Sequence, residues 1–144
     1  MATLERALEI AAKAHAGQVD KGGAPYILHP IRVMLSLSSI PAQITAILHD
    51  VVEDTDITIA DLRREGFAES ILEAIEALTK RKGEDRISAA HRAAQNQIAC
   101  AVKLADIADN MDLSRIPHPT EKDYARIREY EQVRAILLAS QAKD

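Results

Sequence analysis

The sequence predicts an all-α domain, a helical bundle, and three observations point that way. Hydrophobic residues make up 47% of the 144 positions, yet aromatics account for only 3%. Ala and Leu supply most of the rest, a composition that suits helices better than a β sandwich or barrel. The five glycines and five prolines fall at a few breaks instead of punctuating the chain evenly. Between those breaks apolar residues recur three and four positions apart, the period of a helix with one buried face.

Each element follows from its own signals. Thr3 caps a first helix running to about Ala16, with Leu4, Leu8 and Ala11 on one stripe. Gly17 ends it, and Asp20-Lys21-Gly22-Gly23-Ala24-Pro25 reads as a loop. His29-Pro30 opens a second helix, because proline costs nothing in the first turn, where its missing N–H has no partner anyway. A third runs from about Pro41 to Val52 and is apolar until His49-Asp50. Thr58 and Asp61 form a capping box for a short fourth helix that stops before Gly66. Ile71, Leu72, Ile75 and Leu78 mark a fifth, and one long sixth helix is expected from about Ile87 to Met111. After Pro117-His118-Pro119, Thr120 and Asp123 cap a last helix, about 120–141, through Ile127, Tyr130, Val133 and Leu137. No repeat or linker interrupts this order, so residues 1–144 read as one domain.

Acidic residues outnumber basic ones 22 to 18, for a net charge of −4, and no basic face or tail stands out. That argues against a nucleic-acid partner. Lys80-Arg81-Lys82 is followed at once by Glu84 and Asp85 and reads as a solvated helix end. With one cysteine, Cys100, the chain has neither a disulfide framework nor a thiolate cluster, and Cys100 reads as a small buried side chain. No apolar run spans a bilayer and no signal peptide is evident, so the expectation is a cytoplasmic protein without a membrane partner.

Chemistry is expected where ionisable residues stand in apolar surroundings. His49 and Asp50 follow Ala46-Ile47-Leu48, and Asp106 lies inside Val102-Lys103-Leu104-Ala105-Asp106-Ile107. A carboxylate placed there is costly unless it is paired or binds a metal. Glu53 is four residues after His49 and Asp54 four after Asp50, so two polar stripes run down one helix face. Lys103, Asp106 and Asn110 form another stripe on the sixth helix. Imidazoles and carboxylates together suit Mn²⁺, Fe²⁺, Co²⁺ or Zn²⁺ better than Mg²⁺ or Ca²⁺. Such an ion lowers the pKa of a bound water and polarises a phosphoryl oxygen, and nearby carboxylates accept the proton.

Three segments carry a family resemblance. Ala14-His15-Ala16-Gly17-Gln18 with Pro25-Tyr26-Ile27-Leu28-His29-Pro30-Ile31, then Leu48 to Thr55, then Val102 to Met111 resemble the signatures of the Rel/Spo-type HD hydrolases and the small alarmone hydrolases. The likeness spans about residues 4–115. It implies an all-α HD domain whose metal, typically Mn²⁺, is held by His29, His49, Asp50 and Asp106. Glu53-Asp54 matches the acidic dyad that positions or activates water. Asn110 matches a residue contacting the nucleotide, Lys21 lies in a loop lining the pocket, and Lys103 is phosphate-facing or supports the ligands. The implied reaction removes the 3′-pyrophosphate from guanosine tetra- or pentaphosphate, leaving GDP or GTP, with no synthetase domain following. The implied partner is a small nucleotide, and homo-oligomerisation is left open.

The chain departs from that pattern at Asp20, where the family often has an arginine packing on guanine, and at Ile107, where a basic residue usually follows the aspartate. The region of His91 also lacks aromatics found in related short proteins. These changes keep open an adenine alarmone, a nucleotide phosphomonoester, or a non-catalytic nucleotide-binding module. His15 reads equally as a support for the ligands or as a hydrogen-bonded structural histidine, and His118 as a loop residue.

Overall fold

A computed structural model describes residues 2–142, and its helices form where the caps and stripes place them. Helix α1 (Leu4–Ala14) begins at Thr3, whose hydroxyl accepts the Arg6 N–H at 3.1 Å, and buries Ala7, Ile10 and Ala11. It stops two residues short of the expected end, because the backbone turns at His15 and Gly17 takes φ +86°. Helix α2 (Leu28–Leu35) carries His29 and Pro30 in its first turn. Helix α3 (Ile40–Asp54) is capped by Ser39 and has proline in its first turn. It outruns its expected end at Val52, so Glu53 and Asp54 form its last turn.

Helix α4 (Ile59–Glu65) has both halves of the Thr58–Asp61 capping box and ends on Gly66 at φ +96°. Helix α5 (Glu69–Leu78) follows. The single long helix expected over Ile87–Met111 is instead two, α6 (Arg86–Ala94) and α7 (Gln97–Asn110). The break has a local cause: the Asn96 side chain accepts the Ala99 N–H at 2.9 Å and starts a new helix. A 3₁₀ turn (Leu113–Arg115) then leads to α8 (Glu121–Ala142), where Thr120 and Asp123 bond each other's backbone N–H as expected.

Helix α3 is the centre of the bundle and packs against α1, α2, α5 and α7. Ile47, Leu48 and Val51 on it are wholly buried, and they meet a core that includes Leu72, Ile75, Val102 and Ile107. Burying one such side chain contributes about 1.5–3 kcal/mol, so the helix that carries His49 and Asp50 is also the one most firmly held.

The loop between α5 and α6 is held by Arg92. Its guanidinium donates to the carbonyls of Glu76, Ala77 and Thr79 and forms a fork with Glu84 at 2.7 and 3.0 Å. The last carbonyls of α5 thus find donors that the helix itself cannot provide. Arg92→Ala is expected to destabilise the fold by roughly 2 kcal/mol, the net loss when charged hydrogen bonds to the helix-end carbonyls disappear, read by urea unfolding. The fork also predicts a pH dependence. Glu84 is held at about 2 by Arg92 and the Arg81 N–H, so its contribution is complete above about pH 4.5 and is lost as pH falls through 2. Stability titrations of the wild type and Arg92→Ala should converge over that acid window, and parallel curves would refute the pairing.

Candidate metal centre

Helices α2, α3 and α7 converge on the two carboxylates of Asp50 and Asp106. His29, Asp50 and Asp106 are each under a tenth exposed, and one ligand-type atom from each lies within 4.8 Å of the others. The His29 Nε2 is 2.8 Å from Asp106 Oδ1 and 3.8 Å from Asp50 Oδ2. His49 joins from the side: its Nδ1 is 3.4 Å from Asp50 Oδ1 and its Nε2 3.5 Å from Glu53 Oε2. His49, Asp50 and Glu53 form a second such group, sharing Asp50 with the first.

Two buried carboxylates this close to each other need positive charge beside them. Burial alone raises Asp106, but Lys103, 3.2 Å away, and His29 hold it well below the carboxylate range. Burial likewise pulls His49 down, while Asp50 and Glu53 carry it to about 9. The same cluster would be compensated by a divalent cation. Its donors, imidazole and carboxylate, fit a borderline metal.

The remaining expected residues are less uniformly placed. Glu53 lines the cavity above the cluster, its Oε1 accepting the Lys80 N–H at 3.2 Å. Burial raises Glu53, and the His49 hydrogen bond brings it below its usual value. Asp54 sits beside this wall, outside the residues that line the cavity, and burial with Asp50 and Glu53 nearby raises its carboxyl. Lys103 and Asn110 line the cavity. Lys21 does too, although its ammonium is bound to Asp123 at 2.9 Å. Asp20 turns inward on its own loop, its Oδ1 accepting the N–H groups of Gly22 and Ala24. A Cβ at Gly22 would collide with the Arg115 carbonyl oxygen, so that loop is pressed against the 3₁₀ turn.

Apart from His15, which the sequence reads as a support or a structural histidine, the further residues around the site carry no role in the sequence reading. Tyr26 donates its hydroxyl to Asp50 Oδ2 at 2.9 Å, and burial with that neighbour raises its pKa far above the normal phenol value. His15 packs its ring 5.1 Å from Tyr26 and bonds Gln18 through Nδ1, so it supports the wall behind Asp50. Asp109 lies behind His29 and is gripped by Arg32. Lys80, Arg86, Arg115 and Arg126 join Lys21 and Lys103 around a cavity of about 540 Å³. Only the last turn of α7 offered a signal, since Asp109 falls one turn after Asp106 on the same face. His118 is exposed in a loop, and Cys100 is buried with its Sγ donating to the Leu137 carbonyl.

Comparison with known proteins decides the family. The family model for the HD domain matches residues 7–109. The chain belongs to the HD domain family. Within this HD chain, 79 residues are 44% identical to a guanosine-3′,5′-bis(diphosphate) 3′-pyrophosphohydrolase of Borreliella burgdorferi, covering 52% of the chain and 12% of that protein. A probable GTP pyrophosphokinase of Mycobacterium leprae is 32% identical over 150 residues, covering 95% of the chain and 19% of that protein. The HD chain therefore spans less than a fifth of the length of either relative. A solved structure, described as a metazoan ortholog of SpoT that hydrolyzes ppGpp, superposes with a TM-score of 0.74 at 24% identity. It covers 97% of this chain and 85% of its own, so the fold is shared along nearly the whole length. Among the described residues, no helix is long and apolar enough to cross a membrane.

Proposed function

We propose that this HD chain is a divalent-metal-dependent phosphohydrolase that removes the 3′-pyrophosphate from a guanosine tetra- or pentaphosphate-like nucleotide. We read residues 1–144 as one HD domain acting in the cytoplasm. The observation that carries the proposal is the His29–Asp50–Asp106 cluster at a cavity ringed by basic side chains. The proposed ligands are His29, His49, Asp50 and Asp106, and Mn²⁺ suits their mixture of imidazole and carboxylate. When bound, the metal supplies Lewis acidity toward a phosphoryl oxygen and acidifies water.

The chain's own residues account for the rest. Tyr26, kept protonated, donates to Asp50 Oδ2 and so leaves Oδ1 as the oxygen nearer His49. Glu53 and Asp54 lie one turn beyond His49 and Asp50 and take the proton from the attacking water. The water oxygen bonds to the phosphorus as the bond from that phosphorus to the 3′ oxygen breaks, and the 3′ oxygen leaves with the proton that the acidic dyad took from water. Lys103 lines the cavity with its ammonium 3.2 Å from Asp106, and in this reading it meets the phosphate charge. Lys21 and Asn110 orient the nucleotide from the walls.

An adenine nucleotide, or a phosphomonoester, is the second reading, because Asp20 weakens the case for guanine. The residue standing where the resembled family stacks an arginine on guanine is here an acid folded onto its own loop. The deciding experiment incubates the protein and Mn²⁺ with guanosine and adenosine 3′-pyrophosphate nucleotides and separates the products by ion exchange. Pyrophosphate release is the expected result, and the ratio between bases assigns the preference. Orthophosphate would transfer the chain to the phosphomonoester reading. Tight binding without turnover would make it a sensor module.

A further inference from the structure

The His29 ring is held between two carboxylates one turn apart on α7. Its Nε2 faces Asp106 Oδ1 at 2.8 Å, while its Nδ1 meets Asp109 Oδ2 at 2.6 Å. Asp109 is itself fixed: Arg32 on α2 donates to both of its oxygens, at 2.8 and 3.1 Å. Arg115 reaches the Asp109 backbone carbonyl at 3.0 Å and Oδ2 at 3.4 Å. The Asp109 side chain is about nine-tenths buried, whereas each arginine is about a third exposed. A buried carboxylate with three donor groups around it cannot swing away, and the fork geometry of Arg32 sets its plane.

We propose that Asp109 is the positioning residue of the metal centre, accepting the Nδ1 proton of His29 as a hydrogen bond so that, once a metal replaces the proton Nε2 shares with Asp106, Nε2 faces the metal between Asp50 and Asp106. Arg32 and Arg115 set the position of Asp109. The inference rests on the metal-binding reading above. The physical logic is general. An imidazole ligand has two possible tautomers and a rotatable ring, and the partner of its remote nitrogen decides both. An anionic partner also makes the ligating nitrogen a better donor. Without it, His29 would share its Nε2 between a proton and the metal and would sample other ring orientations.

The arrangement spans three parts of the chain. Residue 29 is 80 positions from residue 109, and the Arg115 that completes the clamp lies on the 3₁₀ turn against which Gly22 is pressed. The loop bearing Asp20 and Lys21 thereby packs against the turn that carries Arg115.

The test is Mn²⁺ affinity measured by calorimetry on wild type, Asp109→Asn and Arg32→Gln, with circular dichroism to confirm helicity. Asp109→Asn keeps the shape and removes the charge, and Mn²⁺ binding is expected to weaken roughly 10- to 100-fold. Arg32→Gln leaves Arg115 in place and is expected to give a smaller loss in the same direction. In nitrogen-labelled, Zn²⁺-loaded wild type, His29 is expected to show the Nδ1–H tautomer with a strongly downfield proton, and that signal should move in Asp109→Asn. A purely structural role would change unfolding without moving metal affinity or this resonance. Wild-type affinity in Asp109→Asn would overturn the positioning role while leaving the metal reading intact. If Asp109→Asn fails to fold, unchanged affinity in Arg32→Gln overturns it in its place. Wild type that binds no Mn²⁺ would overturn both.

Discussion

Asp106→Ala is expected to abolish tight Mn²⁺ binding and hydrolysis together while the helical spectrum persists. Asp106 is 5% exposed, and its two oxygens are divided between His29 Nε2 and the Lys103 ammonium. No other described carboxylate joins His29 and Asp50 in their group, so no neighbour can substitute. Even partners behind the ligands typically contribute 10- to 100-fold to metal affinity, so a direct ligand should cost more than about 100-fold. The fold should tolerate the change, because Asp106 contributes to the site and not to the apolar core around α3. Calorimetry with Mn²⁺ and a product assay on the same sample would decide it. Full metal occupancy in the variant would remove Asp106 from the ligand set.

Glu53→Gln is expected to do the opposite to binding: metal retained, turnover reduced by about 10²–10⁴, the usual range for a proton-transfer group. Glutamine keeps the length and can still accept the Lys80 N–H that Glu53 Oε1 accepts at 3.2 Å. It cannot take a proton from water. Because Glu53 is drawn below its usual value while Asp54 is raised, the two carboxylates do not share one role by symmetry. Steady-state kinetics on Glu53→Gln and Asp54→Asn separate them. If Glu53→Gln keeps wild-type kcat, the proton goes to Asp54, even though Asp54 stands outside the cavity lining.

Much of the bundle was legible because helix signals are local. Thr3, Thr58 with Asp61, Thr120 with Asp123, and the glycines at 17 and 66 mark helix ends through bonds spanning at most a few residues. The break at Asn96 is hidden in the sequence although its cap is equally local, because the small residues on both sides keep a helical period through it. His49, Asp50 and Asp106 announced themselves as ionisable residues inside apolar runs, an anomaly visible without coordinates. His29 drew attention only through its resemblance to a known motif, since one histidine before a proline carries little information.

What the sequence determined by itself was therefore the helical class, most boundaries, and the imidazole and carboxylate residue types of the candidate metal site. Tertiary structure decided which of those residues meet. It set His29, Asp50 and Asp106 within 4.8 Å, left His49 alongside, folded Asp20 onto its loop, and turned Lys21 to Asp123. It also supplied the partners behind the site, Tyr26 on Asp50 and Asp109 on His29. The physical reason is separation: caps and stripes arise from residues a turn apart, whereas a hydrogen bond across 80 residues exists only once α2 and α7 have packed on α3.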